Sequence, residues 1–340
     1  MEKAIYSKYR PQKFSDVLGQ DHITGVLKDS IKNGNVAHAY LFSGSRGTGK
    51  TSIARILARE IGTTEKDLYE IDAASNTSVE DIRDLNESVA TLPFDSKYKI
   101  YILDEVHMLS KSAFNALLKT LEEPPKHVVF ILATTEPHKI PDTVISRCET
   151  YDFKTPNRAT LKKLAIKTAE SEGFELESDA AELIAILSDG AFRDCHTTLQ
   201  KLISSSSDKK LTAEEVEKVT GAPKTQLIND FISAILESDL DKGLGIIKIA
   251  EEGNLDSKVF LKLLLEKLRT ALLIKINAKA DLYKETVSEE DIKFLTELIE
   301  KNGEKMNSKI LVKMLDVYSD INKSNMPYLV LEVVFLELVK

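Results

Sequence analysis

Residues 44–51 of the chain read Gly44-Ser45-Arg46-Gly47-Thr48-Gly49-Lys50-Thr51, which is the complete pattern G-x-x-x-x-G-K-T. An apolar run at 39–42 precedes this stretch and indicates a short buried strand. A helical pattern of apolar residues follows it from Ile53 to Ala58. Strand, glycine loop and helix form the context in which the pattern binds nucleotide phosphates, so we predict a Walker A loop.

The residue types of this loop suit a nucleotide and its metal ion. Glycines let the backbone curl so that N–H groups point at phosphate oxygens, and the helix N-terminus adds partial positive charge. Lys50 is predicted to reach the β- and γ-phosphates, and the Thr51 hydroxyl is predicted to bind Mg²⁺. The predicted contact residues are Gly44, Ser45, Arg46, Gly47, Thr48, Gly49, Lys50, Thr51 and Ser52.

Two acidic residues, Asp104 and Glu105, follow an apolar run at 100–103. Such a run is typical of a buried parallel strand, and ligands bind at the carboxyl ends of such strands. Downstream of a Walker A loop, we interpret the pair as Walker B. Asp104 is predicted to hold Mg²⁺, directly or through water, and Glu105 to polarise the attacking water. The alternative for Glu105 is a surface salt bridge.

Strand and helix patterns alternate in the first half of the chain and predict an α/β fold with a doubly wound parallel sheet. The strand at 128–133 ends in Thr134 and Thr135, and a hydroxyl there can lie between the Walker motifs. Threonine is also common in strands, so both interpretations stay open. From Pro156 onward the pattern is helical only. The five predicted strands lie at 39–42, 68–72, 100–105, 128–133 and 150–153.

The length and composition limit the classes of protein to which the chain can belong. A chain of 340 residues is long for one core, so two or three domains are expected. The net charge of −8 does not indicate a nucleic-acid binder, so a DNA contact would need a local basic surface. Cys148 and Cys195 have no C-x-x-C spacing, and neither a signal-peptide pattern nor an uninterrupted apolar helix is visible. We therefore expect a cytoplasmic protein without a membrane partner.

Several segments together resemble the AAA+ clamp-loader family, in its bacterial gamma/tau branch. The resemblance spans nearly the whole chain, and the motifs Ala-Ala-Ser-Asn and Glu-Glu-Pro-Pro resemble the bacterial branch more closely than the archaeal and eukaryotic ones. It rests on Lys8-Tyr9-Arg10-Pro11-Gln12, on the segments 17–20 and 38–42, on Glu70-Ile71-Asp72-Ala73-Ala74-Ser75-Asn76, and on the segments 121–125, 132–137, 146–148 and 190–194.

The resemblance implies roles that spacing alone does not. It implies that Arg147 is an arginine finger acting in trans on the γ-phosphate bound by a neighbouring subunit. Thr135 matches sensor 1, with Thr134 as the alternative, and Arg193 matches sensor 2. For each arginine the alternative is a surface or salt-bridged side chain. The residues that match the adenine contacts of the family are Tyr9, Arg10 and Val17.

The family also implies domains, function and partners. It implies an AAA+ nucleotide-binding domain at 1–154, a small helical lid domain at 155–221 and an all-helical collar domain at 222–340. The implied function is the ATP-hydrolysing motor subunit of the DNA polymerase III clamp loader, with ATP and Mg²⁺ as cofactors. The implied partners are delta- and delta-prime-like subunits, copies of this chain in a ring, the sliding clamp and primer–template DNA.

Two other functions compete with this interpretation. One is another AAA+ DNA-processing ATPase, for branch migration or recombination mediation, but the helical C-terminal third lacks the β-hairpin pattern of a winged helix. The other is a non-hydrolysing scaffold subunit, but such subunits usually lose Walker A.

The chain departs from the family at two places. Bacterial members typically carry a four-cysteine zinc module between the Walker A helix and the second strand. Residues 60–67 bridge that gap without a cysteine, so no zinc site is expected. We also expect the chain to lack the long C-terminal extension that recruits polymerase and helicase in some members, since the collar pattern runs to its last residues.

Overall fold

The computed structural model describes residues 4–75, 78–206, 208–279, 289–321 and 324–339. Asn76, in a segment that carries the family resemblance, and Lys340, at the end of the predicted collar, lie outside these ranges. The chain divides into two compact units. The sheet unit runs to Thr160 and includes Gly190–Asp194, and the helical unit comprises Leu161–Asp189 and the chain from Cys195 onward. The three predicted domains remain a prediction.

Five parallel strands form the core of the sheet unit. They are β1 (Ala39–Ser43), β2 (Leu68–Asp72), β3 (Lys99–Asp104), β4 (Val128–Thr134) and β5 (Glu149–Asp152). Their spatial order is β2-β3-β4-β1-β5, which confirms the predicted five-stranded parallel sheet and α/β class. Because β4 lies between β1 and β3, its carboxyl end lies between the two segments that carry the Walker patterns.

Both faces of this sheet are covered at its centre, which is why β1, β3 and β4 are largely apolar on both sides, whereas the edge strands β2 and β5 are partly exposed. Leu41, Leu103 and Leu132 pack into one buried cluster, and Phe42 and Ile102 pack into the cluster on the other face. The α-helices that lie entirely within this unit are α1 (Ile5–Lys8), α2 (Asp21–Lys32), α3 (Lys50–Glu60), α4 (Val79–Val89), α5 (Lys111–Glu122) and α6 (Asp142–Ile145).

The rest of the described chain is mainly helical, as predicted. Its helices are α7 (Arg158–Ser171), α8 (Ser178–Leu187), α9 (Phe192–Ser205), α10 (Ala213–Thr220), α11 (Thr225–Glu237), α12 (Leu240–Glu252), α13 (Ser257–Lys275), α14 (Glu289–Asn302), α15 (Ser308–Ile321) and α16 (Pro327–Val339). Within the described ranges, none of the helices combines the length and the hydropathy that a bilayer span requires.

The prediction of helices alone after Pro156 is wrong at one place. Strands β6 (Glu175–Leu176) and β7 (Lys210–Leu211) pair in parallel in the helical unit. Two residues are too few to show the alternation of apolar and polar side chains from which a strand is predicted.

The main apolar core of the helical unit contains a group of three packed aromatic rings. The centroid of the Phe231 ring lies 5.5 Å from that of Phe260 and 5.3 Å from that of Phe335.

Candidate functional site

The glycine loop connects β1 to α3, and neighbouring chain segments press closely against it. Gly44 and Gly47 have φ values of 141° and 75°, which side chains rarely tolerate. A Cβ on Gly44 would lie 2.6 Å from the Phe153 carbonyl oxygen, and one on Gly47 would lie 2.7 Å from the Ala191 Cβ. The path of the loop therefore depends on glycine at both positions.

Buried polar groups fix the loop from within the sheet unit. The Thr48 hydroxyl donates to the Ser45 carbonyl oxygen at 2.8 Å. The fully buried Gln20 donates from Nε2 to the Lys154 carbonyl oxygen at 2.7 Å and accepts from the Lys154 N–H at 3.1 Å, while its Nε2 lies 3.5 Å from the Thr48 carbonyl oxygen. Sequence reasoning missed Gln20 as a positioning residue, because its only signal was membership of the family segment at 17–20.

The Lys50 ammonium lies inside the loop. Its Nζ donates to the carbonyl oxygens of Gly44, at 2.7 Å, and Ser45, at 2.9 Å. Burial lowers the pKa of Lys50, and the carboxylates of Glu105 and Asp104 oppose that shift. A positive charge is therefore held where the sequence predicts phosphates.

The two Walker segments meet directly. The Thr51 hydroxyl donates to Asp104 Oδ2 at 2.8 Å, and the other Asp104 oxygen accepts from the Glu105 N–H at 3.0 Å. Hydroxyl and carboxylate oxygens are ligands that Mg²⁺ prefers. The two residues predicted to bind the metal ion thus come from the first turn of α3 and the end of β3 and contact each other, and their donor set fits Mg²⁺.

Glu105 has a strained backbone, with φ of 49° in the left-handed region. Such a conformation costs roughly 1–3 kcal/mol in a residue other than glycine and is concentrated at functional sites. The Oε2 atom of Glu105 accepts a hydrogen bond from the Thr135 hydroxyl at 3.0 Å. Of the two candidate threonines, Thr135 contacts the Walker B glutamate, whereas the Thr134 hydroxyl is fully buried and faces His107.

His107 is a member of this site that sequence reasoning missed. Its Nδ1 lies 3.1 Å from Thr134 Oγ1 and 3.4 Å from Glu105 Oε2, and its Nε2 lies 3.3 Å from Glu136 Oε1. The side chain is only 7% exposed. Its position two residues after Glu105 was visible in the sequence, but a linear pattern does not show where the ring points.

Arg147 is not brought to the loop. Arg147 precedes Glu149, which lies opposite Tyr40 in the register of β5 and β1. The loop begins beyond Ser43, at the other end of β1. Strands rise about 3.3 Å per residue, so roughly 13 Å of strand separates the level of Glu149 from that of Gly44. Arg147 instead forms an ion pair with Glu122 and donates to the Thr143 carbonyl oxygen at 2.6 Å. The salt-bridged alternative is therefore present, with Glu122 as the acid.

Arg193 belongs to the sheet unit and lies beside the loop segment. The neighbouring Phe192 N–H donates to the Gly47 carbonyl oxygen at 3.0 Å. The Arg193 guanidinium lies 5.1 Å from the centroid of the Tyr6 ring, a cation–π contact. Burial lowers the pKa of Arg10, and the positive charges of Arg55 and Arg193 lower it further. The other predicted contact residues are partly exposed (Tyr9, Val17, Ser52) or exposed (Ser45, Arg46).

No group of three or more histidine, cysteine or acidic side chains with metal-holding geometry occurs among the described residues. Both cysteines, Cys148 and Cys195, are free thiols. The predicted lack of a zinc site stays a prediction.

Solved structures and family models were compared with the chain. A family model described as DNA polymerase III, delta subunit, matches residues 19–74 and 62–157. The chain is also similar to the Holliday junction branch migration motor RuvB of Thermotoga maritima, with a TM-score of 0.53 and 21% identity over 82% of this chain and 88% of that one. At this identity the likeness concerns the fold alone, and it agrees with the AAA+ architecture.

Curated relatives are more similar in sequence. The Bacillus subtilis DNA polymerase III subunit tau is 38% identical over 95% of this chain and 59% of its own length. A gamma/tau subunit of Mycobacterium tuberculosis is 36% identical over 80% of this chain and 51% of its own length. The chain thus spans about half the length of these relatives.

A shorter relative is matched over most of its length. The DNA polymerase III subunit gamma of Buchnera aphidicola is 37% identical over 80% of this chain and 79% of its own length. Identity at this level over most of both chains shows common family membership, and the chain therefore belongs to the DNA polymerase III gamma/tau family.

Proposed function

We propose that this chain binds ATP with Mg²⁺ in the loop at 44–51 and hydrolyses it as the motor subunit of a clamp loader. The observation that carries the proposal is the 2.8 Å hydrogen bond from the Thr51 hydroxyl to Asp104. The two residues are 53 positions apart in the sequence, and a nucleotide site of this class uses the same two groups to hold its metal ion.

The reaction is in-line attack of water on the γ-phosphate, catalysed mainly by positioning and charge stabilisation. Lys50 would neutralise phosphate charge from inside the loop, and Thr51 with Asp104 would hold the metal ion. A bound metal ion at these two residues would supply positive charge that offsets the charge of the phosphates. Glu105 would accept a hydrogen bond from the attacking water, and the Thr135 hydroxyl would restrict the Glu105 carboxylate.

Two arginines would complete the site. Arg193 lies beside Gly47 through the Phe192 contact, which supports a role above the nucleotide as sensor 2. Arg147 lies near the amino end of β5, away from the loop at the carboxyl end of β1, which supports action on the pocket of a neighbouring subunit. Its ion pair with Glu122 is partly exposed, so a competing phosphate could replace it at low cost.

Membership of the gamma/tau family supports the proposal that this chain takes part in clamp loading. The relatives are named as subunits of DNA polymerase III, so this chain is proposed to act in a multi-subunit complex. Its partners would be delta- and delta-prime-like subunits, further copies of itself, a sliding clamp and primer–template DNA. Because the net charge is −8, DNA would be held by local phosphate contacts that position it without reading its sequence.

The test is nucleotide binding and ATP hydrolysis by the full chain, alone and with sliding clamp, primed DNA and partner subunits. We expect binding by the chain alone and faster hydrolysis when clamp and primed DNA are both added. Stimulation by four-way DNA junctions instead would favour a branch-migration motor. Failure to bind a labelled ATP analogue would favour a scaffold subunit.

A further inference from the structure

His107 lies in the turn at Val106–Met108, directly after the Walker B pair, and its ring is almost completely buried. Three oxygen-bearing side chains face it. Glu105 comes from the end of β3, and Thr134 and Glu136 come from the end of β4. A buried imidazole surrounded by such groups uses both of its nitrogens.

The contacts connect the two strand ends. Nδ1 lies 3.1 Å from Thr134 Oγ1 and 3.4 Å from Glu105 Oε2, and Nε2 lies 3.3 Å from Glu136 Oε1. The Thr134 hydroxyl also accepts from the Glu136 N–H at 3.0 Å. The ring therefore joins the carboxylate of the proposed water-polarising residue to the strand end that carries Thr135.

The far side of the ring has a fixed anchor. Lys139 donates to Glu136 Oε1 at 3.0 Å and also forms an ion pair with its other oxygen. This hydrogen bond, followed by the charges of Lys139, His107 and His138, lowers the pKa of Glu136. Glu136 therefore stays ionised near neutral pH and keeps a negative charge beside Nε2.

We propose that His107 is a positioning residue for ATP hydrolysis, which fixes the Glu105 carboxylate through Nδ1 while Glu136 fixes the ring through Nε2. The inference rests on the proposed function, because it concerns the orientation of the water-polarising group. Glu105 is partly exposed, so without His107 only Thr135 would restrict its carboxylate. A displacement of about 1 Å in such a group can reduce a rate a hundredfold.

Three substitutions of His107 test the roles of its two ring nitrogens separately. The amide of His107→Asn lies at the position of Nδ1, that of His107→Gln lies at the position of Nε2, and His107→Ala removes both. We expect His107→Gln and His107→Ala to lower kcat by about tenfold to a hundredfold, whereas His107→Asn stays within about threefold of the unmodified chain. ATP affinity and KM should change by less than about twofold in all three, since His107 is not proposed to touch the nucleotide.

The result that overturns the proposal is equal turnover in all three variants, or a loss in His107→Asn as large as in His107→Ala. A parallel fall in ATP affinity and thermal stability would also overturn it, because that pattern belongs to a purely structural side chain.

A second measurement does not depend on hydrolysis. Among the six histidines, the ring resonances of His107 are those that disappear from the ¹H–¹⁵N spectrum of His107→Asn. They should shift in Glu105→Gln and in Glu136→Gln and stay in place in the control Glu149→Gln. If the chain proves not to hydrolyse ATP, the proposed function fails and this spectrum still decides whether His107 is coupled to Glu105. Unmoved resonances would refute the coupling.

Discussion

The glycine loop follows the carboxyl end of β1 and the Arg147 segment precedes the amino end of β5, so the two lie toward opposite ends of the strands, and their polar side chains are held in different ways. At the loop, Thr51 contacts Asp104 and Lys50 is buried, so groups from distant parts of the sequence satisfy one another. Arg147 is partly exposed and is held by Glu122 and a carbonyl oxygen nearby. Groups proposed to act within the chain converge through the fold, whereas the group proposed to act on a neighbour stays at the surface.

The largest overall effect is expected from Lys50→Ala, because a loss of ATP binding also removes hydrolysis. Removal of the buried cation that is proposed to face the phosphates should lower ATP affinity at least about a hundredfold, since several kcal/mol of charge compensation is lost. Binding of a labelled ATP analogue measures it, with the exposed Lys126→Ala as a control of equal charge change. Undiminished binding would contradict the Walker A assignment. The contrast drawn between the glycine loop and the Arg147 segment would then be wrong.

Arg147→Ala should affect hydrolysis only in the assembled complex. An arginine finger is worth about 10³ or more in rate, so turnover should fall on that order while the ATP affinity of the isolated chain stays within about twofold. Single-turnover hydrolysis by isolated and assembled chains compares the two situations.

Mixing with Lys50→Ala chains tests whether Arg147 acts in trans. A Lys50→Ala chain still offers its Arg147 to the intact pocket of an Arg147→Ala chain, so mixed rings should recover part of the activity. If both variants fold and assemble but mixtures stay inactive, Arg147 does not serve a neighbouring pocket.

Glu105→Gln should separate binding from hydrolysis. The pair Thr51 and Asp104, which is proposed to bind the metal ion, remains, so affinity for ATP with Mg²⁺ should be kept, while hydrolysis falls about a hundredfold because an amide is a poor base. Equilibrium binding and single-turnover hydrolysis on the same preparation measure both. Normal turnover would mean that another group polarises the water.

The smallest effect is expected from Glu122→Gln. Partly exposed ion pairs are worth about 0–1 kcal/mol, so the free energy of unfolding in urea should fall by less than about 1 kcal/mol. Glu80→Gln, at another exposed pair of the sheet unit, is the matched control. A loss of more than about 2 kcal/mol relative to that control would make Arg147 a structural residue and not a side chain available to a neighbour.

Local patterns were sufficient to predict the five strands of the parallel sheet and the chemical groups near their carboxyl ends. The apolar run before Asp104 predicted β3, and the glycine spacing predicted the loop before Lys50. Strand β6, Glu175–Leu176, escaped prediction because a pair of residues carries no period. The positions of Gln20 and His107 escaped because a side chain's direction depends on neighbours that are distant in the sequence.

The sequence by itself determined which chemical groups the site contains, namely an ammonium, a hydroxyl and two carboxylates, because each is specified by a short pattern. Only the tertiary structure decided which of them meet. The strand order β3-β4-β1 brings Thr51 to Asp104, turns Thr135 toward Glu105, and leaves Arg147 with Glu122. That order arises from packing of both sheet faces against helices, and no local sequence pattern encodes it.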